Sequence, residues 1–343
     1  MSNDASKINN TSTTNKARPW IQTGRYEFET VCRSTLCPKE WLQVEKIYVC
    51  EYCLKTTIQG TSARRHHTKC TQTRPPGCLI YTQKDVSIFE VCGWKAKTYC
   101  EDLCLIATLF IESKIEIKNV HRFRFYVLTV CHNDNQYEFA GFFSKLQYQE
   151  RLNVSCLLIL PPYRNRGFGS LMVHISYALS RLANIHTGTP ERPLSTQGLL
   201  CYRKYWKSKI FDYLLTKTNE EQIAINVEII EISLLFIDIS KATSIFTCDI
   251  IETLASLNMI RMLEKDKLII YRSQELFDEY KQKSKETDIR HEIVNFDSRC
   301  LTAKSIPAPL PFEHKCKRIK FDDNETVMTF FNYYPSASIE GID

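Results

Sequence analysis

Cys50, Cys53, His66 and Cys70 fall in the pattern C-x2-C-x12-H-x3-C, a spacing that metal chemistry can use. Zn2+ prefers four soft or borderline ligands arranged as a tetrahedron. A C-x2-C knuckle presents two thiolates from one tight turn, and a short helix presents a second pair at i and i+4. A redox dithiol would need no His and Cys downstream at these positions, so structural Zn2+ is the chemistry the spacing supports. His67 is a rival to His66, but it would shorten the second spacing to two residues. Cys100 and Cys104 have no partner pair and read as buried core thiols.

A second constellation follows the apolar run Val154–Leu160. Pro161-Pro-Tyr-Arg-Asn-Arg-Gly-Phe-Gly169 opens directly into an amphipathic segment. Gly167 and Gly169 let backbone approach a ligand, the free N–H groups of a helix N-terminus favour a pyrophosphate, and Arg164 and Arg166 flank them with positive charge. The turn lacks the Lys-Ser/Thr of a P-loop and the spacing of a dinucleotide fingerprint, so neither nucleoside triphosphate nor NAD is indicated.

Elements of mixed α/β type must position these groups. Val86–Val91 and Phe123–Cys131 have strand composition, and Leu103–Phe110 reads as a buried helix. Val154–Leu160 reads as a central strand covered on both faces. Phe168–Leu182 is a helix with Leu171, Ile175, Ala178 and Leu182 on one stripe. A helix near 229–237, the segment Asp238–Thr243, a second helix over Cys248–Leu257 and two short strands around Asp266-Lys267 suggest a winged-helix-like unit.

With 343 residues, 43% of them hydrophobic, the chain is long enough for about two domains with a real core. Five units are expected: a polar flexible tail over 1–19, a zinc-finger module over 20–77, a ligand-binding α/β core over 78–213, the winged-helix-like region over 214–275, and a charged, partly irregular tail over 276–343. Forty-five Lys and Arg against 39 Asp and Glu leave a net charge of +6, too weak to name a nucleic-acid binder. The polar N-terminus has no apolar signal region, and Glu228, Glu231 and Asp238 interrupt the best apolar run, so neither secretion nor a membrane span is expected.

R-x-x-G-x-G after a buried strand resembles the coenzyme A signature of GNAT-like acetyltransferases, and the flanking blocks resemble the MYST family of histone acetyltransferases. Tyr48-Val-Cys-Glu-Tyr-Cys-Leu-Lys55 is similar to that family's zinc finger. Gly141-Phe-Phe-Ser-Lys145, Asn153-Val-Ser-Cys156, Leu160-Pro-Pro-Tyr163, Ser176-Tyr177, Pro190-Glu191 with Pro193-Leu-Ser195, and Tyr202-Arg203 with Tyr205-Trp206 follow its order. The resemblance covers roughly residues 28–270. It implies a zinc finger, a GNAT-like core that binds acetyl-CoA, and a C-terminal helix-turn-helix-like region. It implies Glu191 as general base for lysine and Cys156 in a positioning or contingent nucleophilic role. Coenzyme contacts would come from Leu157, Leu158, Ile159, Arg164, Asn165, Arg166, Gly167, Phe168, Gly169, Ser170 and Ser195. Lys114 matches the family lysine that becomes acetylated on the enzyme itself.

Departures from the pattern are Asn165 and Ser170, where the family has cationic residues, the run Ile115–Asn119, and Cys201 and Lys204 in the Tyr-Arg block. The expected partners are core histone tails or nucleosomes within a multiprotein complex in the nucleus. The candidate recognition helix carries Asp249 and Glu252 and no basic residue, so sequence-specific DNA readout is not expected. The alternative is a catalytically weak or inactive zinc-finger and winged-helix scaffold subunit of a chromatin complex.

Overall fold

The computed structural model describes residues 18–32, 36–111, 117–132, 136–185, 187–217, 227–264, 267–270, 275–282 and 296–302. The N-terminal strands β1 (Trp20–Thr23), β2 (Tyr26–Glu29), β3 (Lys46–Val49) and β4 (Thr56–Thr57) form a sheet of order β2-β1-β3-β4, followed by helix α1 (Gly60–Lys69). Alternation of buried Ile21 and Ile47 with less buried neighbours fixes which face of this sheet meets the core.

The core sheet contains β5 (Cys78–Gln83), β6 (Val86–Cys92), β7 (Phe123–His132), β8 (Gln136–Leu146) and, after the short strand β9 (Leu152–Val154), β10 (Cys156–Ile159). Its order is β10-β8-β7-β6-β5, and every pairing is antiparallel. Helix α2 (Lys97–Ala107) starts earlier than its sequence suggests and buries Cys100, Leu103 and Cys104. Helix α3 (Phe168–Leu182) packs against β9 and β10. Its apolar stripe ends at Ala178, since Leu182 is 53% exposed.

The expectation of one central strand over 154–160 is corrected. The run divides at Ser155, and β10 is an edge strand among the described residues. Ser144 on β8 causes the division: its carbonyl accepts the Ser155 N–H at 2.7 Å and its hydroxyl accepts the Cys156 N–H at 3.2 Å. Two successive amides thus converge on one residue, and β9 is freed to pair in parallel with β11 (Thr189–Pro190). Opposite β10, Gly141 lets the strand approach, because a Cβ there would run into the Leu158 carbonyl.

After α4 (Thr196–Lys217), strand β12 (Val227–Glu228), helices α5 (Ile229–Thr243) and α6 (Thr247–Ser256), and strands β13 (Ile260–Glu264) and β14 (Lys267–Ile270) form the winged-helix-like unit. The three strands pair in the order β12-β14-β13. The segment read separately as Asp238–Thr243 continues α5 without interruption. A parallel bridge between Gly188 and Ile245 ties this unit to the core.

Two pieces of the stretch expected to be an irregular tail also pack on the core. Helix α7, residues 275–282, stacks Phe277 on Phe211 with centroids 4.4 Å apart, and Tyr280 donates to Asp212 at 2.8 Å. Phe296 stacks on Tyr81, and the Thr302 N–H donates to the Ile80 carbonyl at 2.8 Å. A few aromatic anchors outweigh the polar average of the segment around them. The basic cluster at 315–320 lies outside the described residues. No helix among the described residues is long and apolar enough to cross a membrane.

Candidate active site and metal centre

Cys50 follows β3, Cys53 closes the knuckle, His66 projects from α1, and Cys70 ends that helix. The knuckle is tight: the Leu54 N–H donates to the Cys50 carbonyl at 3.0 Å, and Leu54 takes φ 65°. The four ligand atoms lie within 4.8 Å of one another. Zn–S bonds near 2.3 Å and Zn–N bonds near 2.0 Å in a tetrahedron place ligand atoms about 3.5 to 3.8 Å apart. Cys50 Sγ and Cys70 Sγ are 3.9 Å apart, and Cys53 Sγ and His66 Nε2 are 3.2 Å apart, so the set fits Zn2+. His67 turns instead to the buried Glu51 at 3.2 Å, which decides between the two histidines.

In the core, β10 leads into the glycine turn from an open edge. The Leu160 N–H donates to the Ala140 carbonyl at 2.9 Å, so even-numbered residues turn their backbone toward β8. By the alternation of an antiparallel ladder, the N–H groups of Leu157 and Ile159 face outward. Arg164 uses that side, donating from Nε to the Ile159 carbonyl at 3.1 Å. The side chains of Leu158 and Phe168 are buried, so only their backbone can reach a ligand.

Pro161–Tyr163 forms a single 3-10 turn that ends the strand. Asn165 then takes φ 60°, a left-handed conformation that Asn adopts more readily than most residues, which gives this departure a local reason. Gly167, at φ 80° and ψ 0°, is the N-cap of α3, and no side chain caps that helix. Its first N–H groups, from Phe168 to Ser170, are therefore available to an anion. Arg166 lies 5.9 Å from the ring centroids of both Tyr163 and Phe168, beside the same end. Cys201 packs against Gly169, 3.2 Å from where a Cβ would stand, so the early turns of α4 run alongside. Ser195 caps α4, accepting the Gly198 N–H at 3.1 Å. This donor set fits the pyrophosphate of a coenzyme.

Glu191 and Cys156 are 35 positions apart in the chain, yet β9 and β11 bring them together. Pro190 pairs with Val154, and the Glu191 N–H donates to the Val154 carbonyl at 2.8 Å, two residues before Cys156. A buried polar network fixes this pairing. Asn153 donates to Ser176 at 3.2 Å and accepts from Tyr202 at 3.3 Å, while Trp206 donates to Tyr177 at 2.7 Å and Tyr177 to the Gly188 carbonyl at 3.2 Å. Both Glu191 and Cys156 are half-buried. The Cys156 thiol is pushed up to about 11, chiefly by burial and further by the charge of Glu191, against an opposing hydrogen bond from Ser144. Lys114 lies outside the described residues.

Three residues at the site carried no such role in the sequence: Ser144, and the ion pair of Arg192 with Asp249 at 2.7 Å. The available signal was an acid pair spaced i, i+3 on an otherwise apolar helix, facing an arginine in a proline-bracketed loop.

A Cys3His module joined to an α/β core with an open edge strand, a glycine turn and an uncapped helix defines a zinc-finger protein whose core carries a turn that fits a pyrophosphate. Residues 16–70 match the MYST family zinc finger domain, and residues 74–298 match the MOZ/SAS family. The chain is 36% identical to histone acetyltransferase KAT6A of Homo sapiens over 287 residues, covering 82% of this chain and 13% of that protein. It is 38% identical to histone acetyltransferase KAT6B of Mus musculus over 264 residues, covering 75% and 13%. Against histone acetyltransferase MOF of Drosophila melanogaster the identity is 37% over 260 residues, covering 75% and 30%. The chain belongs to the MOZ/SAS family of MYST proteins, and it spans less than a third of the length of these relatives.

Proposed function

We propose that the chain is a protein-lysine acetyltransferase that moves the acetyl group of acetyl-CoA to a lysine of a core histone tail. The observation that carries this is the Glu191–Val154 backbone bond, which puts a carboxylate beside the open edge that leads to the uncapped helix. Acetyl-CoA supplies a thioester, an activated acyl group. Lysine must give up a proton before it can attack, since its ordinary pKa is near 10.4. Glu191 takes that proton, and the amine nitrogen bonds to the thioester carbon. The outward N–H at Leu157 stabilises the resulting oxyanion. Collapse of the tetrahedral centre breaks the carbon–sulfur bond: the coenzyme leaves as a thiol carrying the proton that Glu191 held, and the nitrogen gives up its second proton to solvent as the neutral amide forms. Cys156 shapes this site and is not acylated.

The setting we infer is nuclear, on nucleosomes and within a multiprotein complex that acts in transcription. The units we propose are 20–77, 78–213 and 214–275. The test is acetyl-CoA turnover by the zinc-loaded protein on each core histone separately, with the sites mapped by mass spectrometry. Transfer to one or two histone lysines is expected. No transfer to any core histone would overturn the proposal.

A further inference from the structure

The carboxylate of Glu191 makes no hydrogen bond or ion pair with protein among the described residues. A base must be free to take a proton, so its aim depends on the backbone that carries it. That backbone is held on both sides. Before Glu191, Gly188 exchanges hydrogen bonds with the α5–α6 junction, its N–H to the Ser244 carbonyl at 2.7 Å and its carbonyl from the Phe246 N–H at 3.1 Å. Thr189 donates to the Arg151 carbonyl at 2.9 Å. After Glu191, the next side chain is clamped: Arg192 Nη2 donates to Asp249 Oδ1 at 2.7 Å and to Glu252 Oε2 at 2.8 Å.

Asp249 is 1% exposed and stands in the first turn of α6, where the helix dipole favours its negative charge. A carboxylate this deep needs a paired cation, and the cation it meets is the residue adjoining the base. Glu252, one turn on, closes the fork from the solvent side. We infer that Asp249 and Glu252 are positioning residues: through Arg192 they set the direction in which Glu191 faces the acyl centre. The acids of α6 thus serve the transfer site, and the winged-helix-like unit is part of the catalytic apparatus. This rests on Glu191 being the base.

The experiment compares Arg192→Gln, Arg192→Lys, Asp249→Asn and Glu191→Gln, alone and with Arg192→Gln combined with Glu191→Gln. It uses the full chain on a histone peptide at saturating acetyl-CoA, with coenzyme affinity from calorimetry. Arg192→Gln is expected to lower kcat roughly ten- to hundredfold, the scale of a misplaced reacting group, with acetyl-CoA Kd unchanged. Arg192→Lys, which can still reach one carboxylate, should recover most of the loss. In the Glu191→Gln background the Arg192→Gln change should cost nothing further, whereas a merely structural ion pair would cost the same in both backgrounds. Arg192 is half exposed, so its variants remain informative if Asp249→Asn does not fold. Parent-like kcat in Arg192→Gln alongside a severe Glu191→Gln defect overturns the clamp alone. Parent-like kcat in Glu191→Gln overturns the base assignment and the clamp together.

Discussion

If lysine attacks acetyl-CoA directly, replacing Cys156 should cost far less than replacing Glu191, and the structure gives the reason. An acyl-enzyme route helps only when the protein's nucleophile is easier to ionise than the substrate it relieves. With its thiol at about 11, Cys156 is no more acidic than a free lysine near 10.4. At pH 8 roughly one thiol in a thousand is ionised, against about one in ten for an ordinary thiol at 9.0, a handicap of about 3 kcal/mol. The higher intrinsic reactivity of a more basic thiolate returns about half of that. Burial supplies most of that handicap and Glu191 a part of it, because its charge opposes formation of a thiolate beside it. We expect Cys156→Ala to keep kcat within about fivefold and Glu191→Gln to lower it by about two to four orders of magnitude, recovering in part at high pH. Two assays check the reasoning. Alkylation of the Cys156 peptide, followed by mass spectrometry, should accelerate about tenfold per pH unit through pH 10. Incubation with acetyl-CoA and no histone should leave Cys156 unacetylated. A plateau of alkylation below pH 9, or an acetyl group trapped on Cys156 together with an inactive Cys156→Ala, would refute it.

Metal analysis should find one zinc per chain, and chelation should abolish cooperative melting of the 20–70 module; full structure without zinc would end the assignment of Cys50, Cys53, His66 and Cys70. Gly167→Val must force a branched residue to φ 80°, costing about 1–2 kcal/mol or more, and should weaken acetyl-CoA binding at least about tenfold by calorimetry. Unchanged affinity would put the pyrophosphate elsewhere. His174 is held down at about 4, first by burial and then by Lys209, Arg181 and Lys204, so the unfolded chain takes its proton below pH 6.5 while the folded chain does not. Its contribution to stability is therefore full above pH 6.5 and drains as pH falls to about 4, by about 3 kcal/mol in all. His174→Phe, beside Tyr205 and Phe296, should flatten that loss in thermal melts from pH 7 to 4.5, and parallel melting curves for the two proteins would contradict it.

What the sequence made legible follows the range of the interactions involved. The zinc quartet is local, and tetrahedral chemistry dictates its spacing, so Cys50 to Cys70 could be read without a fold. Helix α3 was equally plain, since a 3.6-residue stripe and a glycine entry are both local signals. The run over 154–160 misled because hydropathy reports where side chains go and says nothing of hydrogen-bond partners. Val154 and Leu158 are buried and α3 packs on β9 and β10, so the segment looks like a central strand although its second edge is open. The meeting of Glu191 with Cys156 depends on a two-residue strand pairing, too short to leave any period in the sequence, and only the family resemblance brought it forward.

Asp249 and Glu252 are the sharper case. On a helix considered for reading DNA they could register only as unfavourable charges, because the arginine that answers them is 57 and 60 positions away. Once β9, β11 and the α5–α6 junction lie side by side through Val154, Gly188 and Ile245, those same acids acquire a partner next to the base. Burial pushes the Asp249 carboxyl up to about 6, and the charge-assisted hydrogen bond from Arg192 opposes that shift in part. On the proposed clamp, the docking of the winged-helix-like unit and the setting of Glu191 are one event, and changes on the far side of α6 should act on Glu191 through Arg192.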